Sequence, residues 1–174
     1  MNAHTKPKKF GHGSIKLPLG WRGLWKTVEI HGGPYNCYPG KDEAFGVSVR
    51  KEQMVGREFD LHLPIDDFHI PRMPDAEMQS AIVKIIEQAL AGKTVYVGCM
   101  GGYGRTGLFL ALVAKAAGVV DPVEFIREHY SDHAVETNEQ HNYVEKFDVK
   151  PVQDALLWAA FRQAWLSPWG FWAR

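Results

Sequence analysis

One short segment of the chain combines residue types that suit chemistry on a phosphate group. Cys99 is followed by five residues and then by Arg105, and three of those five, at 101, 102 and 104, are glycines. Glycine lets the backbone take unusual dihedral angles that turn several N–H groups to one side. Such a nest of N–H groups binds anions, and an arginine fork suits two phosphate oxygens. The segment is therefore predicted to bind an anion.

The cysteine at the start of this segment is the candidate nucleophile. Inward N–H groups, the N-terminus of a following helix and Arg105 together stabilise a thiolate. Thr106 can donate a hydrogen bond to the Cys99 sulfur, first when the sulfur is the nucleophile and later when it is the leaving group. A thiolate beneath a site shaped for a tetrahedral dianion can attack phosphorus. The structural alternatives are that the cysteine is a small buried hydrophobic residue and that the glycines form a tight turn. The combination of strand, cysteine, five-residue spacing, arginine, threonine and helix rarely occurs for such reasons alone.

The elements around the segment must form a strand, a loop and a helix. Residues 94–97 are a short apolar run, which predicts a buried central strand. Residues 105–117 are apolar almost all round, which predicts a buried helix. Residues 75–90 have one apolar face, which predicts an earlier helix capped by Asp75.

The order of the predicted elements gives the fold class. Short strands are expected at 25–30, 45–49 and 59–63, a turn-rich loop at 31–40, later helices starting near Asp121 and Thr137, and a last helix at 152–165. This order predicts an α/β fold with a short central mixed sheet of about four or five strands flanked by helices. Residues 1–14 are expected to be a flexible basic N-terminus, and residues 15–174 a single domain.

Composition limits the class of protein. Lysine plus arginine equals aspartate plus glutamate at 20 each, which argues against binding nucleic acid or a membrane by general charge. No apolar stretch is long enough to span a bilayer, and no secretory signal is visible. Two cysteines make no disulfide framework, so a reducing, cytoplasmic compartment is expected. The histidines lack metal-ligand spacing, and no metal or other cofactor is expected.

The segment from Cys99 to Arg105, followed by Thr106 and Gly107, resembles the signature loop of the cysteine-dependent protein tyrosine phosphatase superfamily. The short loop and short chain are most similar to the dual-specificity branch, with the resemblance covering about residues 59–147. It implies a strand–loop–helix active site that binds the substrate phosphate through Met100, Gly101, Gly102, Tyr103, Gly104 and Arg105. The implied reaction is hydrolysis of phosphotyrosine, with phosphoserine and phosphothreonine as further candidates, through a phosphocysteine intermediate.

The same resemblance suggests the acid that protonates the leaving oxygen. Residues 63–71 are similar to the acid loop of dual-specificity phosphatases, and on that pattern Asp67 is the acid and Asp66 its variable neighbour. The like charge of Asp66 would favour the protonated form of Asp67. A solvated Asp-Asp turn is the alternative.

Gln140 and Gly98 are two further positions that bear on the predicted activity. Residues 136–140 resemble a segment of related phosphatases in which Glu or Gln lies near the phosphate and orients water, but helix capping after Thr137 is the favoured role of Gln140. Gln140 is therefore only an accessory candidate. Gly98 stands where the family usually has a histidine that orients the loop, which predicts weaker activity or a shifted pH optimum before it predicts none.

Other functions stay open. A phosphate-binding pseudophosphatase would dock a phosphorylated protein without turnover, and Gly98 is its sequence support. An RNA 5′-triphosphatase of the same fold is a further candidate, but no basic feature of the sequence supports it strongly.

The C-terminal aromatic residues and Cys37 each have more than one candidate role. Leu157, Trp158, Phe161 and Trp165 have helical spacing, which favours packing on the domain. The final segment, SPWGFWAR, would alternatively contact a partner or a membrane surface. Cys37 is a candidate to pair with Cys99 under oxidation.

Overall fold

A five-stranded mixed sheet with helices packed on it forms the part of the chain described by the computed structural model, residues 11–21, 24–52 and 58–166. The strands are β1 (Gly13–Trp21), β2 (Leu24–Pro34), β3 (Phe45–Ser48), β4 (Leu61–His62) and β5 (Val95–Cys99). The helices are α1 (Asp75–Leu90), α2 (Gly104–Ala116), α3 (Pro122–His129), α4 (Asn138–Lys146) and α5 (Lys150–Leu166). The predicted α/β class and mixed sheet are confirmed.

The strand order, β1-β2-β5-β3-β4, puts β5 at the centre of the sheet. β1 runs antiparallel to β2, and the other three pairings are parallel. Cys99 at the end of β5 is in register with Pro34 at the end of β2, and Gly98 with Ser48 at the end of β3. Because parallel strands bring their carboxyl ends to one edge, the loops that follow β2, β3 and β5 meet there.

The core explains why the central elements form. Every residue of β5 is buried, as a central parallel strand requires. α2 is buried along nearly its whole length, which matches its lack of a polar face. α1 buries Met78, Ile82, Ile85 and Ile86 along one side, as its spacing predicts. On β5 the side chain of Tyr96 joins a separate cluster with Tyr38 and Ala44, away from Val95 and Val97.

The first third of the chain differs from the sequence prediction. β1 begins at Gly13, within the stretch expected to be flexible, and β2 continues to Pro34 through residues expected to form a loop. Pro18 and Gly20 weaken the strand pattern of β1, but an edge strand tolerates both residue types. Residues 1–10 lie outside the described residues.

Several element ends also differ. β4 covers only Leu61–His62, not the five residues expected. Pro74, not Asp75, occupies the cap position of α1, and the Tyr143 hydroxyl donates to Asp75 Oδ1 at 2.8 Å. The predicted caps at Asp121 and Thr137 are confirmed, since their side chains accept from the backbone N–H of residues 124 and 140.

The last helix presents a different face from the one predicted. Val152 of α5 is fully buried, whereas Leu157 is 42% exposed and Trp158 67% exposed. These two side chains lie beside the buried stripe of α5, which runs through Val152 and the partly buried Leu156. The side chains of Phe161 and Trp165, and residues 167–174 altogether, lie outside the described residues.

None of the helices in the described ranges is long and apolar enough to cross a membrane.

Candidate active site

The loop between β5 and α2 folds tightly around the thiol of Cys99. The Cys99 side chain is buried, and the backbone N–H of Gly102 donates to its Sγ at 3.1 Å. Gly102 has a φ of +84°, and a Cβ there would run into the backbone of Gly33 and Pro34. Only glycine fits this position, because it combines a left-handed conformation with close approach to the end of β2.

The guanidinium of Arg105 is held from three sides. Nη1 lies 3.1 Å from Glu52 Oε2 and donates to the carbonyl oxygen of Ile65 at 3.2 Å. Nη2 lies 3.0 Å from Asp67 Oδ1. Nε is buried without a hydrogen-bond partner among the described residues. The side chain is only 3% exposed, so these contacts fix its direction.

Glu52 and Arg50 belong to this site although nothing in the sequence points to them. Glu52 Oε2 also lies 3.3 Å from the Nε of Arg50, whose Cζ sits 4.7 Å from the ring centre of Tyr35. Partial desolvation opposes ionisation of Glu52, but a backbone hydrogen bond and the charges of Arg105 and Arg50 lower its pKa overall. The parallel pairing of β3 with β5 brings residues 50–52 beside the loop, and only long-range topology could have predicted that contact.

The two neighbouring aspartates of the predicted acid loop have different surroundings. Asp67 reaches Arg105, whereas Asp66 turns to Lys51 at 2.9 Å and Arg72 at 3.4 Å. The hydrogen bond from Lys51 is the main reason that the pKa of Asp66 is lowered, with both cations adding to it. Asp66 is thus compensated by two cations, and Asp67 alone of the two contacts the arginine of the loop.

The side-chain amide of Gln140 makes two hydrogen bonds to the backbone, one of which holds the loop that contains Asp67. It is fully buried; its Oε1 accepts from the N–H of Glu136 at 2.9 Å and its Nε2 donates to the carbonyl of His69 at 3.2 Å. Thr137 Oγ1 donates to the carbonyl of Phe68 at 3.3 Å. The start of α4 therefore holds residues 68 and 69, immediately after Asp67.

Thr106 is in position at the start of α2, but its hydroxyl makes no bond to the thiol. Oγ1 is buried and has no hydrogen-bond partner among the described residues. The hydrogen bond expected from Thr106 to Cys99 is thus not formed in this structure, and the N–H of Gly102 takes that role.

The side chain of Tyr96 explains why residue 98 is a glycine. A Cβ at Gly98 would lie 3.1 Å from the ring of Tyr96 and 3.3 Å from the carbonyl of Gly33. The Tyr96 hydroxyl donates to the carbonyl of Pro34 at 2.7 Å, so its ring occupies the space beside residue 98. The histidine that the family usually carries would not fit here without moving that ring.

The cysteines are both free, and they pack in different clusters. Cys37 packs against the cluster of Tyr38, Ala44 and Tyr96, whereas Cys99 belongs to the main core. Their pairing under oxidation stays a prediction.

The remaining loop residues differ in exposure. Met100 is 49% exposed and Gly101 is also exposed, while Gly104 is buried at the start of α2. Tyr103 is partly exposed. The site thus combines a buried thiol, a buried guanidinium and a carboxylate on one sheet edge, with an accessible apolar rim. Such a set can bind an oxyanion, attack it and exchange a proton with it.

Comparison with known proteins finds similar sequences over about half of the chain. Residues 48–118 match the family model Tc-R-P, described as a polymorphic toxin system DSP-PTPase phosphatase. Two uncharacterized proteins of Methanocaldococcus jannaschii, MJECL20 and MJ0215, are 42% and 41% identical over 88 residues, which is 50% of this chain. Those 88 residues are 58% and 54% of the two proteins, so the match spans little more than half the length of these curated relatives.

Several solved structures of phosphatases share the fold of this chain. The crystal structure of DUSP15 has a TM-score of 0.60 at 16% identity, covering 84% of this chain and 96% of that one. PTPMT1 in complex with PI(5)P has a TM-score of 0.56 at 16% identity, covering 73% and 94%. Tk-PTP in its active form has a TM-score of 0.52 at 24% identity, covering 63% and 81%.

The fold is that of the cysteine-dependent phosphatases. More particularly, the resemblance to their dual-specificity branch that the loop from Cys99 to Arg105 suggested is confirmed.

Proposed function

We propose that the protein hydrolyses phosphate monoesters through a phosphocysteine formed on Cys99. The observation that carries this proposal is the contact between Asp67 and Arg105, which sets a candidate acid against the arginine that ends the loop beginning at Cys99. The Gly102 N–H directed at the thiol supports the nucleophile. A phosphatase fold with a buried but unreactive cysteine would need neither contact.

The first step begins when the phosphate enters the loop. Arg105 binds two of its oxygens and the Asp67 carboxylate leaves the guanidinium. The freed carboxylate then takes a proton from solvent, because the dianion beside Asp67 favours the protonated form of this acid. The thiolate of Cys99 then forms the S–P bond while the P–O bond of the ester breaks, and the Asp67 proton goes to the leaving oxygen.

The second step frees the thiolate, and the release of one proton from Asp67 to solvent, as the phosphate leaves, then restores the starting state. Asp67, now a carboxylate, takes a proton from water as the water oxygen attacks phosphorus. The S–P bond breaks and its electron pair returns to Cys99, where we propose that the buried Thr106 hydroxyl donates to the departing sulfur. Gln140 contributes as a positioning residue, because its amide holds the backbone that follows the acid.

Phosphotyrosine in a protein is the substrate we favour, with phosphoserine and phosphothreonine as further candidates. Phe68, next to the acid, is 56% exposed, and Met100, next to the nucleophile, is 49% exposed. Exposed apolar side chains beside reacting groups favour an aromatic ester over a highly charged one. We also propose a reducing, cytoplasmic setting, because the nucleophile must stay a free thiol.

The test is hydrolysis of an aryl phosphate by the wild-type protein and by Cys99→Ser. The proposal predicts turnover by the wild type and its loss, by at least about a hundredfold, in the variant. Both proteins should bind vanadate or phosphate if the loop is intact. A folded wild type that binds these anions without turnover would instead be a phosphate-binding pseudophosphatase, and the proposed reaction would be wrong.

A further inference from the structure

A histidine that lies immediately before β1 reaches across to the loop from Cys99 to Arg105, which we call the phosphate loop. His12 Nε2 lies 2.7 Å from the carbonyl oxygen of Gly101, and its ring stacks on Tyr103 with 4.2 Å between centres. The backbone N–H of His12 donates to the carbonyl of Gly32 at 3.0 Å, which fixes this segment to β2. A carbonyl oxygen can only accept, so Nε2 carries the proton and donates.

The carbonyl that His12 holds belongs to the peptide unit whose N–H contacts the thiol. In a trans peptide, C=O and N–H point in opposite directions. The bond at Gly101 O therefore directs the N–H of Gly102 toward Cys99 Sγ, which it reaches at 3.1 Å. Hydrogen bonds in such a chain polarise one another, so donation by His12 makes this N–H a stronger donor to a thiolate.

The next carbonyl of the loop is held in the same way. The hydroxyl of Tyr130, a nearly buried residue, donates to the carbonyl of Gly102 at 2.5 Å. Burial is the main reason that the pKa of Tyr130 is raised, so the hydroxyl keeps its proton. This second bond leaves the opposite end of the peptide unit, the N–H of Tyr103, directed away from Tyr130.

We propose that His12 is a positioning residue for Cys99, acting through the peptide unit between Gly101 and Gly102. It supplies, from the turn before β1, the support that a histidine at position 98 would give, and Tyr130 holds the adjoining peptide unit. The inference rests on the proposed anion-binding thiolate site. Tyr96 fills the space beside Gly98, so support for the loop has to come from another element.

Alkylation of Cys99 by iodoacetamide measures this support without any turnover. The rate is followed across pH by mass spectrometry of the Cys99 peptide, so that Cys37 does not interfere, and protection by inorganic phosphate is titrated in parallel. His12→Ala should move the midpoint of the alkylation profile to higher pH and raise the half-protecting phosphate concentration about fivefold. His12→Gln, whose amide can replace Nε2 as donor, should recover part of both effects.

Two matched variants separate support of the loop from loss of packing. His133 packs edge-on against the same Tyr103 at 6.0 Å and its side chain is 74% exposed, so His133→Ala should match the wild type in both readouts. Tyr130→Phe keeps the ring and removes one donor from the adjoining peptide. It should weaken phosphate protection more than it moves the alkylation midpoint.

The outcome for His12→Ala decides the proposal, provided circular dichroism shows a native fold. A wild-type alkylation profile, or His12→Gln as impaired as His12→Ala, would overturn it. Absence of ester hydrolysis by the wild-type protein would overturn only the proposed function, because alkylation and phosphate protection do not require turnover.

Discussion

Asp67 contacts Arg105 directly, with 3.0 Å between Oδ1 and Nη2. Asp67 lies in the loop after β4 and Arg105 in the first turn of α2, so the contact joins the candidate acid to the phosphate loop. The Asp67 side chain is 56% exposed, whereas the arginine is buried. Asp67 is thus free to move when an anion arrives, and the arginine stays where it is.

Replacing Asp67 with asparagine should slow turnover in a way that depends on the leaving group. Esters with a poor leaving group, such as phenyl phosphate, need the proton, so kcat should fall by about 10² to 10⁴. An activated ester such as p-nitrophenyl phosphate should lose much less. The measurement is kcat across a series of aryl phosphates.

Asp66→Asn is the matched control, because the same chemical change falls one residue away. Asp66 pairs with Lys51 and Arg72 and not with Arg105. The dependence on the leaving group should therefore stay as in the wild type. The same steep dependence in Asp66→Asn would mean that the acid has been assigned to the wrong aspartate.

Gly102→Ala should disrupt the phosphate loop. The left-handed conformation alone costs a residue with a Cβ at least about 1 kcal/mol, and the backbone of Gly33 and Pro34 blocks the added atom. Urea unfolding and phosphate binding measure the two consequences, a lower free energy of unfolding and weaker binding. Gly101→Ala is the control, since its Cβ would lie at an ordinary 3.5 Å from the Tyr103 ring. Equal stability of the two variants would contradict this account of the loop.

The predictable parts of the protein are those whose signals are local. β5, the phosphate loop and α2 are continuous in sequence, and their glycine spacing and apolar runs predicted the structure, while the chemistry that they indicate stays a prediction. Asp67 was indicated by its flanking pattern. Glu52, Arg50 and His12 were missed because each reaches the loop through strand pairing, across 50 to 89 residues of chain, and no short pattern records such a contact.

The predictions for β1 and α5 missed part of the structure because long-range packing, which no local pattern records, decided it there. β1 was missed because Pro18 and Gly20 obscure its alternation, and pairing with β2 outweighs that weak propensity. The face of α5 was assigned from its large aromatic residues, but burial follows Val152 and Leu156.

Glu52→Gln should make stability less dependent on acid pH. The pKa of Glu52 is lowered in the folded state, so its stabilising effect is present above the unfolded-state pKa and is lost as the pH falls through the folded-state value. Because the side chain is 48% exposed, the effect should be at most about 1 kcal/mol. Melting temperatures of the two proteins should differ at neutral pH and converge in acid. A constant difference at all pH values would rule out this linkage.

Thr106→Val should separate stability from turnover. The buried hydroxyl finds no hydrogen-bond partner in the part of the chain that the structure describes. Its removal should therefore leave the free energy of unfolding unchanged or raise it by about 1 kcal/mol. If the hydroxyl donates to the departing sulfur, phosphocysteine should break down more slowly and kcat should fall. Urea unfolding and pre-steady-state bursts measure both. A variant that is less stable yet turns over normally would contradict the proposed role.

The nucleophile itself can be observed by trapping the covalent intermediate. Wild-type protein mixed with an aryl phosphate, quenched within one turnover and digested, should yield a Cys99 peptide carrying one phosphoryl group. Cys99→Ser should give neither this phosphopeptide nor turnover. Turnover that persists in Cys99→Ser, or a phosphoryl group found on another residue, would contradict the account.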